Sequence, residues 1–539
     1  MKQHKYVIPL LAGVLLVALF FRTFRVSTNP PAISWDEASI GYNAYTILTT
    51  GRDEHGTFMP LDAFAAFGDY KPPLPIYLTV PFVALFGLTE LAVRLPSALF
   101  GVATVGMLFV LARELFRDSK ERDAIGLVAA SLMAVTPWHI MLSRAGFEAN
   151  IAVFFLISGI WAVLRGRNEP KYFYVAWIPF ILGIYTFNST RYAAPLIAGG
   201  LLLIVKNDLF RARKQAVVGI LAALILLIPI APHLVSKQAR LRFEEVSIFT
   251  DLRTVLTSNT RREADNFSPL SSILHNRRVG YAREYFIHFF DNLEPRFLFI
   301  KGDGNPKFSV QDVGQLLLVS APFLMFGWLA LFRDYPVVGG FLLWWLISAI
   351  IPTAVARETP HALRIENGLP VYMLATAYGM VAAIRAIKTK WRTGVSLFVV
   401  LLFLSNFAYF WHTLMAHYPK EFSGEWQYGY KSAIAIAEKY EKDFDTVVLT
   451  ESIGRPYIYA LFYKQTPLSE FTATKDASFD AAGFYNVYGF GKYRFVREGS
   501  GDFSGKVLYI MPPKDVPATA RVIETVRLLN GAPVLVAFE

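Results

Sequence analysis

The chain has no cysteine among its 539 residues. Disulfides, thiolate metal sites and cysteine nucleophiles are therefore excluded, and the redox character of the compartment stays open. Charge is also scarce: Asp, Glu, Lys and Arg make up 18% of the residues, where soluble domains carry about 25%. A His-Glu-x-x-His zinc pattern, a Walker-type phosphate loop and a Gly-x-Ser-x-Gly elbow are all missing, which removes three common catalytic designs. There is no convincing internal repeat and no low-complexity tract. The net charge of +11 comes without a basic tail or a nucleic-acid-binding signature, so nucleic acid is not the expected partner.

What is present is apolar and aromatic, at 54% and 15% of the residues. That composition points to a polytopic α-helical membrane protein. The opening stretch "MKQHKYVIPLLAGVLLVALFF" has a basic start and no small-x-small cleavage site, and reads as an uncleaved signal anchor with a cytoplasmic amino terminus. Apolar runs near spanning length lie at roughly 7–24, 92–112, 124–142, 151–164, 173–188, 192–205, 216–234, 314–332, 336–354, 368–384 and 394–411. They predict about 11–13 transmembrane helices, a few of them short and broken by proline.

The connections carry the topology. "RELFRDSKERD" (113–123), "RGRNEPK" (165–171), "KNDLFRARK" (206–214), "FRDY" (332–335) and "RAIKTKWR" (385–392) are short, mostly basic and on the side of Lys2 and Lys5. Basic loops of this kind mark the cytoplasmic side. The opposite, external face receives the long segments: 25–91, 235–313, 356–367 and the tail. "LPIYLTVPFVALFGL" (74–88) is too short to span and reads as an interfacial segment on that face. Helix-like and strand-like stretches alternate after residue 413, which divides the chain into a membrane domain, 1–412, and a small soluble extracytoplasmic α/β domain, 413–539.

Four external clusters hold residues capable of chemistry: Asp36 with Glu37; Asp69, Tyr70 and Lys71; Arg144 with Glu148; and His361, Arg364 and Glu366. Arg191 begins a span nearby. Each has an ordinary structural explanation. Ser34-x-x-Glu37 fits a capping box, Lys71 before two prolines suits an extended corner, and Arg144 and Glu148 have the spacing of a helical ion pair. His361 and Arg364 suit a loop anchored among headgroups.

Their combination suggests more. Transfer of a sugar from a polyprenyl phosphate needs a carboxylate to take the proton of the attacking hydroxyl, and cations to meet the charge that develops on the leaving phosphate. Acids in the first external loop and Lys, Arg and His in later ones meet that need. A capping role for Glu37 and a chemical role for Asp36 are compatible, because adjacent helical residues point about 100° apart. A multi-span transporter or flippase of lipid-linked sugars is the competing expectation, although ion-coupled carriers place ionisable groups at the midplane and these spans are almost free of charge.

"SWDEASIGYNAY", "GDYKPPLPIYLTVPFVALFG" and "ELAVRLPSALFGVATV", in that order, resemble the membrane glycosyltransferases of the C-type fold, family 39, which includes protein O-mannosyltransferases and lipid A aminoarabinose transferases. The resemblance spans roughly 30–165, weakens toward 370 and is absent from the tail. It implies an inverting hexosyl- or pentosyltransferase in the cell membrane that uses a polyprenyl-phosphate sugar, with an unknown glycan, lipid or protein as acceptor. It further implies Asp36 as the catalytic aspartate with Glu37 beside it, and Lys71 near the donor phosphate together with Arg364, His361 and Arg191. Glu148, Arg144, Asp69 and Tyr70 fall to the acceptor or to site geometry. In "HALRIENGLP" the family's aromatic after the arginine is replaced by Ile365, and the Trp-Trp-Asp motif of oligosaccharyltransferases is missing. No cofactor is required; a divalent cation between Asp36 and Glu148 is compatible with the residue types.

Overall fold

The computed structural model describes residues 4–67, 69–480, 484–497 and 503–539. It is mostly helical and divides into two compact units, one built from Met1–Ala18, Gly101–Ile140 and Ala149–Ala408, the other from Leu19–Phe100, Met141–Glu148 and Tyr409–Glu539.

Seven helices among the described residues are long and apolar enough to cross a membrane: Tyr6–Thr23, Glu90–Leu115, Glu148–Gly166, Thr190–Arg211, Pro336–Ala354, Ala362–Ala386 and Thr389–Glu421. The pair Arg122–Val135 and Pro137–Arg144, bent by 55°, makes an eighth when it is counted as one span. The turn has a local cause: Thr136 precedes a proline and is extended, with ψ at 127°. Three further apolar runs form helices too short for the same criterion, Ile178–Ile184, Arg213–Leu227 and Ala321–Asp334. Prolines 179, 229 and 322 lie in or beside them. Pro179 and Pro322 stand in the first turn, where the missing N–H breaks no helical bond, so these helices begin at proline and leave the apolar residues before it outside them.

In the first unit, small residues allow close helix packing. A Cβ at Gly327 would lie 2.0 Å from the Ala375 carbonyl oxygen, and one at Gly379 would lie 2.0 Å from that of Phe323. Helices Ala321–Asp334 and Leu369–Ala386 therefore meet backbone to backbone.

The second unit carries the first long loop. Helix α1, Trp35–Thr50, starts at Ser34 with a complete capping box and ends at Gly51 in the left-handed region. A hairpin follows: β1, Phe64–Ala66, pairs antiparallel with β2, Asp69–Lys71, which sets Phe64 opposite Lys71. Helix α2, Pro73–Phe86, is the short apolar segment expected from the sequence. The tail forms a seven-stranded mixed sheet, with β3 Thr446–Thr450, β4 Asp476–Phe479, β5 Tyr485–Phe490, β6 Tyr493–Val496, β7 Val507–Met511, β8 Val522–Arg527 and β9 Pro533–Phe538 in the order β4-β5-β6-β3-β7-β9-β8. β3 is parallel to both β6 and β7, and the other pairs are antiparallel.

Loop and tail share one hydrophobic core. Ile40, Tyr42, Phe64, Ile76, Val83 and Val93 are buried in the same cluster as Ile434, Val447, Ile458, Leu461, Phe462 and Ile510. Burying an aliphatic or aromatic side chain contributes about 1.5–3 kcal/mol, so this joint is a large part of the unit's stability. Polar edges close it. Tyr42 Oη donates to the Thr466 carbonyl at 2.9 Å, Tyr459 Oη to that of Ile33 at 3.1 Å, and Lys431 Nζ meets Glu90 at 2.7 Å.

Candidate active site

The start of α1 is built in two layers. Glu37 is buried and closes the capping box: its amide donates to Ser34 Oγ at 3.3 Å, and the Ser34 amide donates to Glu37 Oε2 at 2.9 Å. Its Oε1 also accepts from Arg94 Nε at 2.8 Å and from the Gly146 amide at 3.0 Å. Arg94, fully buried, donates onward to the carbonyls of Val26 at 2.8 Å, Pro30 at 2.9 Å and Ala32. One guanidinium fork thus fixes both the acid and the chain entering the helix. Sequence reasoning did not single out Arg94, although a lone arginine five residues into an apolar helix is a signal, since such a charge needs a partner.

Asp36 points elsewhere. Its side chain is 41% exposed, and its Oδ1 accepts from Lys71 Nζ at 2.6 Å. Lys71 ends β2 and is only 5% exposed; its ammonium lies 3.9 Å from Glu148 Oε1, whose side chain is 13% exposed. A nearly dry cation is therefore bracketed by two carboxylates at the starts of two helices, α1 and α3 (Glu148–Gly166). A divalent cation bridging Asp36 and Glu148 would have to displace the Lys71 ammonium. Among the described residues no group of three or more His, Asp or Glu side chains is placed to hold a metal.

The other predicted residues of this unit take supporting places. Tyr70 pairs with Ala65 in the hairpin, and burial raises its phenol pKa. Asp69 pairs with Ala66, and its side chain lies outside the described residues. Arg144 and Glu148 end and begin different helices, so their four-residue spacing is not helical. Arg144 is buried and donates to three carbonyls, Phe21 and Phe24 at 2.8 Å and Asn29 at 2.7 Å. Its place is architectural.

Arg191, His361 and Arg364 belong to the first unit. Ser189 Oγ donates to the Arg364 carbonyl at 2.9 Å, and Thr190 and Asn367 exchange side-chain hydrogen bonds, which joins the helix start bearing Arg191 to the 361–367 segment. Arg364 Nη1 donates to the Glu358 carbonyl at 3.4 Å. His361 is buried against Phe308 at 5.0 Å between ring centroids; burial first, and the Arg364 charge second, hold its pKa well below 6.5. It is thus neutral near pH 7, able to donate a hydrogen bond but not to supply a charge. Asp303, missed in the sequence, holds this segment: its Oδ2 accepts from the Ala362 amide at 2.6 Å and its Oδ1 from the Asn305 amide at 2.8 Å. Burial raises its carboxyl to about 6. The Asp-Gly-Asn triplet at 303–305, a turn signal in a long loop, was the available hint.

Comparison with known proteins agrees with this architecture. Residues 70–235 match the family described as dolichyl-phosphate-mannose-protein mannosyltransferase. Two Bacillus subtilis (strain 168) proteins are similar: "Putative mannosyltransferase YkcB", 23% identical over 216 residues, covers 40% of this chain and 28% of its own length. "Putative mannosyltransferase YycA", 24% identical over 217 residues, covers 40% and 30%. The matches therefore span under a third of either relative. Among solved structures, ArnT from Cupriavidus metallidurans in the apo state superposes with a TM-score of 0.54 at 14% identity, covering 100% of this chain and 98% of that one. The apo oligosaccharyltransferase of Archaeoglobus fulgidus gives a TM-score of 0.52 at 13% identity, covering 85% of this chain and 64% of that one. The chain is a multi-pass membrane protein of the C-type glycosyltransferase fold, and in residues 70–235 it matches the dolichyl-phosphate-mannose-protein mannosyltransferase family.

Proposed function

We propose that the chain is an inverting glycosyltransferase that moves a sugar from a polyprenyl-phosphate donor to an acceptor hydroxyl on the extracytoplasmic face of the cell membrane. The observation that carries this reading is the placement of Lys71, nearly buried, between Asp36 and Glu148. Asp36 takes the proton of the acceptor hydroxyl as its oxygen attacks the anomeric carbon. The bond from that carbon to the phosphate oxygen breaks, and the Lys71 ammonium meets the charge left on the lipid phosphate. Before donor binds, Lys71 is held on Asp36; a phosphate that draws Lys71 away uncovers the base only when there is a sugar to transfer. Glu37 and Arg94 touch no substrate in this scheme and aim Asp36.

The orientation rests on the short basic connections, all read on one side of the bilayer, and the soluble domain at 413–539 shares the opposite side with the site. The test supplies purified protein with a panel of polyprenyl-phosphate sugars and follows release of lipid phosphate. Asp36→Asn should lower turnover by about 100-fold or more with donor affinity nearly intact, whereas Lys71→Ala should weaken donor binding first. Turnover retained in the Asn variant would remove Asp36 from the base role.

A further inference from the structure

The loop leaving β3, residues 451–455, lies at the carboxyl end of the one strand with parallel neighbours on both sides, and the chain crosses from β6 on one flank to β7 on the other. Crevices outside the carboxyl ends of parallel strands, at such a crossing, are where open sheets bind ligands. Here that place meets Trp35, the residue before Asp36, and Phe67, on the hairpin that carries Lys71. Gly454, with φ at 147°, approaches Trp35 so closely that a Cβ would lie 3.1 Å from Cε3 of the indole. Arg455 lays its guanidinium over the Phe67 ring, Cζ 4.7 Å from the centroid. Trp35 directly precedes Asp36, and Phe67 lies at the turn of the hairpin whose second strand ends at Lys71. Two consecutive tail residues therefore touch both arms of the site.

Among the described residues the Arg455 guanidinium has no hydrogen bond or ion pair, and Glu451 on the same loop is engaged by Arg497 Nε at 3.2 Å. A guanidinium held over a ring, with no hydrogen bond or ion pair among the described residues, keeps its N–H fork for an oxyanion.

We propose that Arg455 binds an anionic oxygen group, phosphate or carboxylate, carried by the acceptor. This rests on the reading of Asp36 and Lys71 as the transfer site. The donor brings one phosphate, placed at Lys71. The Lys71 ammonium is held on Asp36, whereas the Arg455 guanidinium stands over Phe67. Arg455 is left for a second anionic group, and the substrate that has yet to supply one is the acceptor. The tail then selects what receives the sugar, and the first loop performs the transfer.

The test titrates purified full-length protein with inorganic phosphate at constant ionic strength and reads thermal unfolding, with undecaprenyl phosphate binding measured in parallel. Arg455→Gln should raise the half-saturating phosphate concentration about tenfold and leave undecaprenyl phosphate affinity unchanged; Lys71→Gln should lower the latter. Superposable phosphate curves for wild type and Arg455→Gln overturn the proposal. Loss of undecaprenyl phosphate affinity in Arg455→Gln also overturns it, because Arg455 would then serve the donor. Should Arg455→Gln unfold without phosphate, Arg455→Lys decides: it keeps the charge and loses the fork, and a curve identical to wild type refutes the assignment. A wild-type protein that ignores undecaprenyl phosphate sinks the transfer reading, while the phosphate titration still decides the role of Arg455.

Discussion

Glu37 accepts from Ser34, Arg94 and Gly146 in a buried site, whereas its neighbour Asp36 is 41% exposed and meets Lys71. Removing one member of a buried ion pair strands the other, at a cost of about 3–5 kcal/mol. Glu37→Ala should therefore lower stability by that order, read in denaturant unfolding, and lose transfer by misplacing Asp36. An unchanged midpoint would show that Arg94 finds another partner. His361 gives a pH signature. Its pKa is depressed by burial and by Arg364, so the unfolded chain binds the proton more readily; the associated stability is present above 6.5 and is lost as pH falls toward the folded value. The stability gap between wild type and His361→Asn should accordingly narrow as pH falls below about 6.5. Asp303, whose raised value of about 6 carries the opposite sign, is common to both proteins and cancels. At this scale the sequence was informative where the interaction is local. Ser34 and Glu37 declare their box three residues apart, but nothing in "GDYKPPLPIY" says that Lys71 meets Asp36, 35 residues away. Arg144 and Glu148 misled because the break at 145–147 between them ends one helix and frees the other to start anew.

Helix α1 is set by two neighbours, the Arg94 fork at its entry and the tail helix α4, Pro456–Lys464, along its side. Tyr459 stacks on Tyr430 at 4.7 Å and donates to the Ile33 carbonyl, one residue before the cap. Tyr459→Phe keeps the stack and leaves that buried carbonyl short of a donor, costing about 1–3 kcal/mol. With Asp36 and Lys71 in their proposed roles it should reduce kcat more than KM for donor, since Asp36 shifts while Lys71 stays in place; equal turnover would confine Tyr459 to packing. Elements marked by an apolar run or an amphipathic face were legible: the apolar α2 and strands β3, β7 and β9 by their runs, the helix Tyr430–Tyr440 by its face. Strands β4, β5, β6 and β8 were not. They mix tyrosine, arginine, glycine and aspartate, and their burial is decided by a neighbouring strand that no local window contains.

For the whole molecule, the joint between first loop and tail matters most. A Cβ on Gly41 in α1 would lie 2.6 Å from Phe462 in α4, so two helices from distant parts of the chain touch. Residues 413–539 expressed alone should then expose Tyr459, Phe462 and their neighbours, bind a dye for apolar surface and unfold without a sharp transition. A soluble, cooperatively unfolding tail would show that the sheet completes its own core.

The same joint imposes an order in time. The hydroxyl of Tyr42 and the carbonyl of Thr466 are 424 residues apart, and ribosomes add about 5–20 residues per second, so the first must wait roughly 20–85 s for the second. During that interval the acid and the lysine are already outside the ribosome, with the Arg94 fork made but without the tail's half of their core. On the proposed reading a half-made chain lacks a finished site, and the event that completes it is the arrival of the chain's own last quarter.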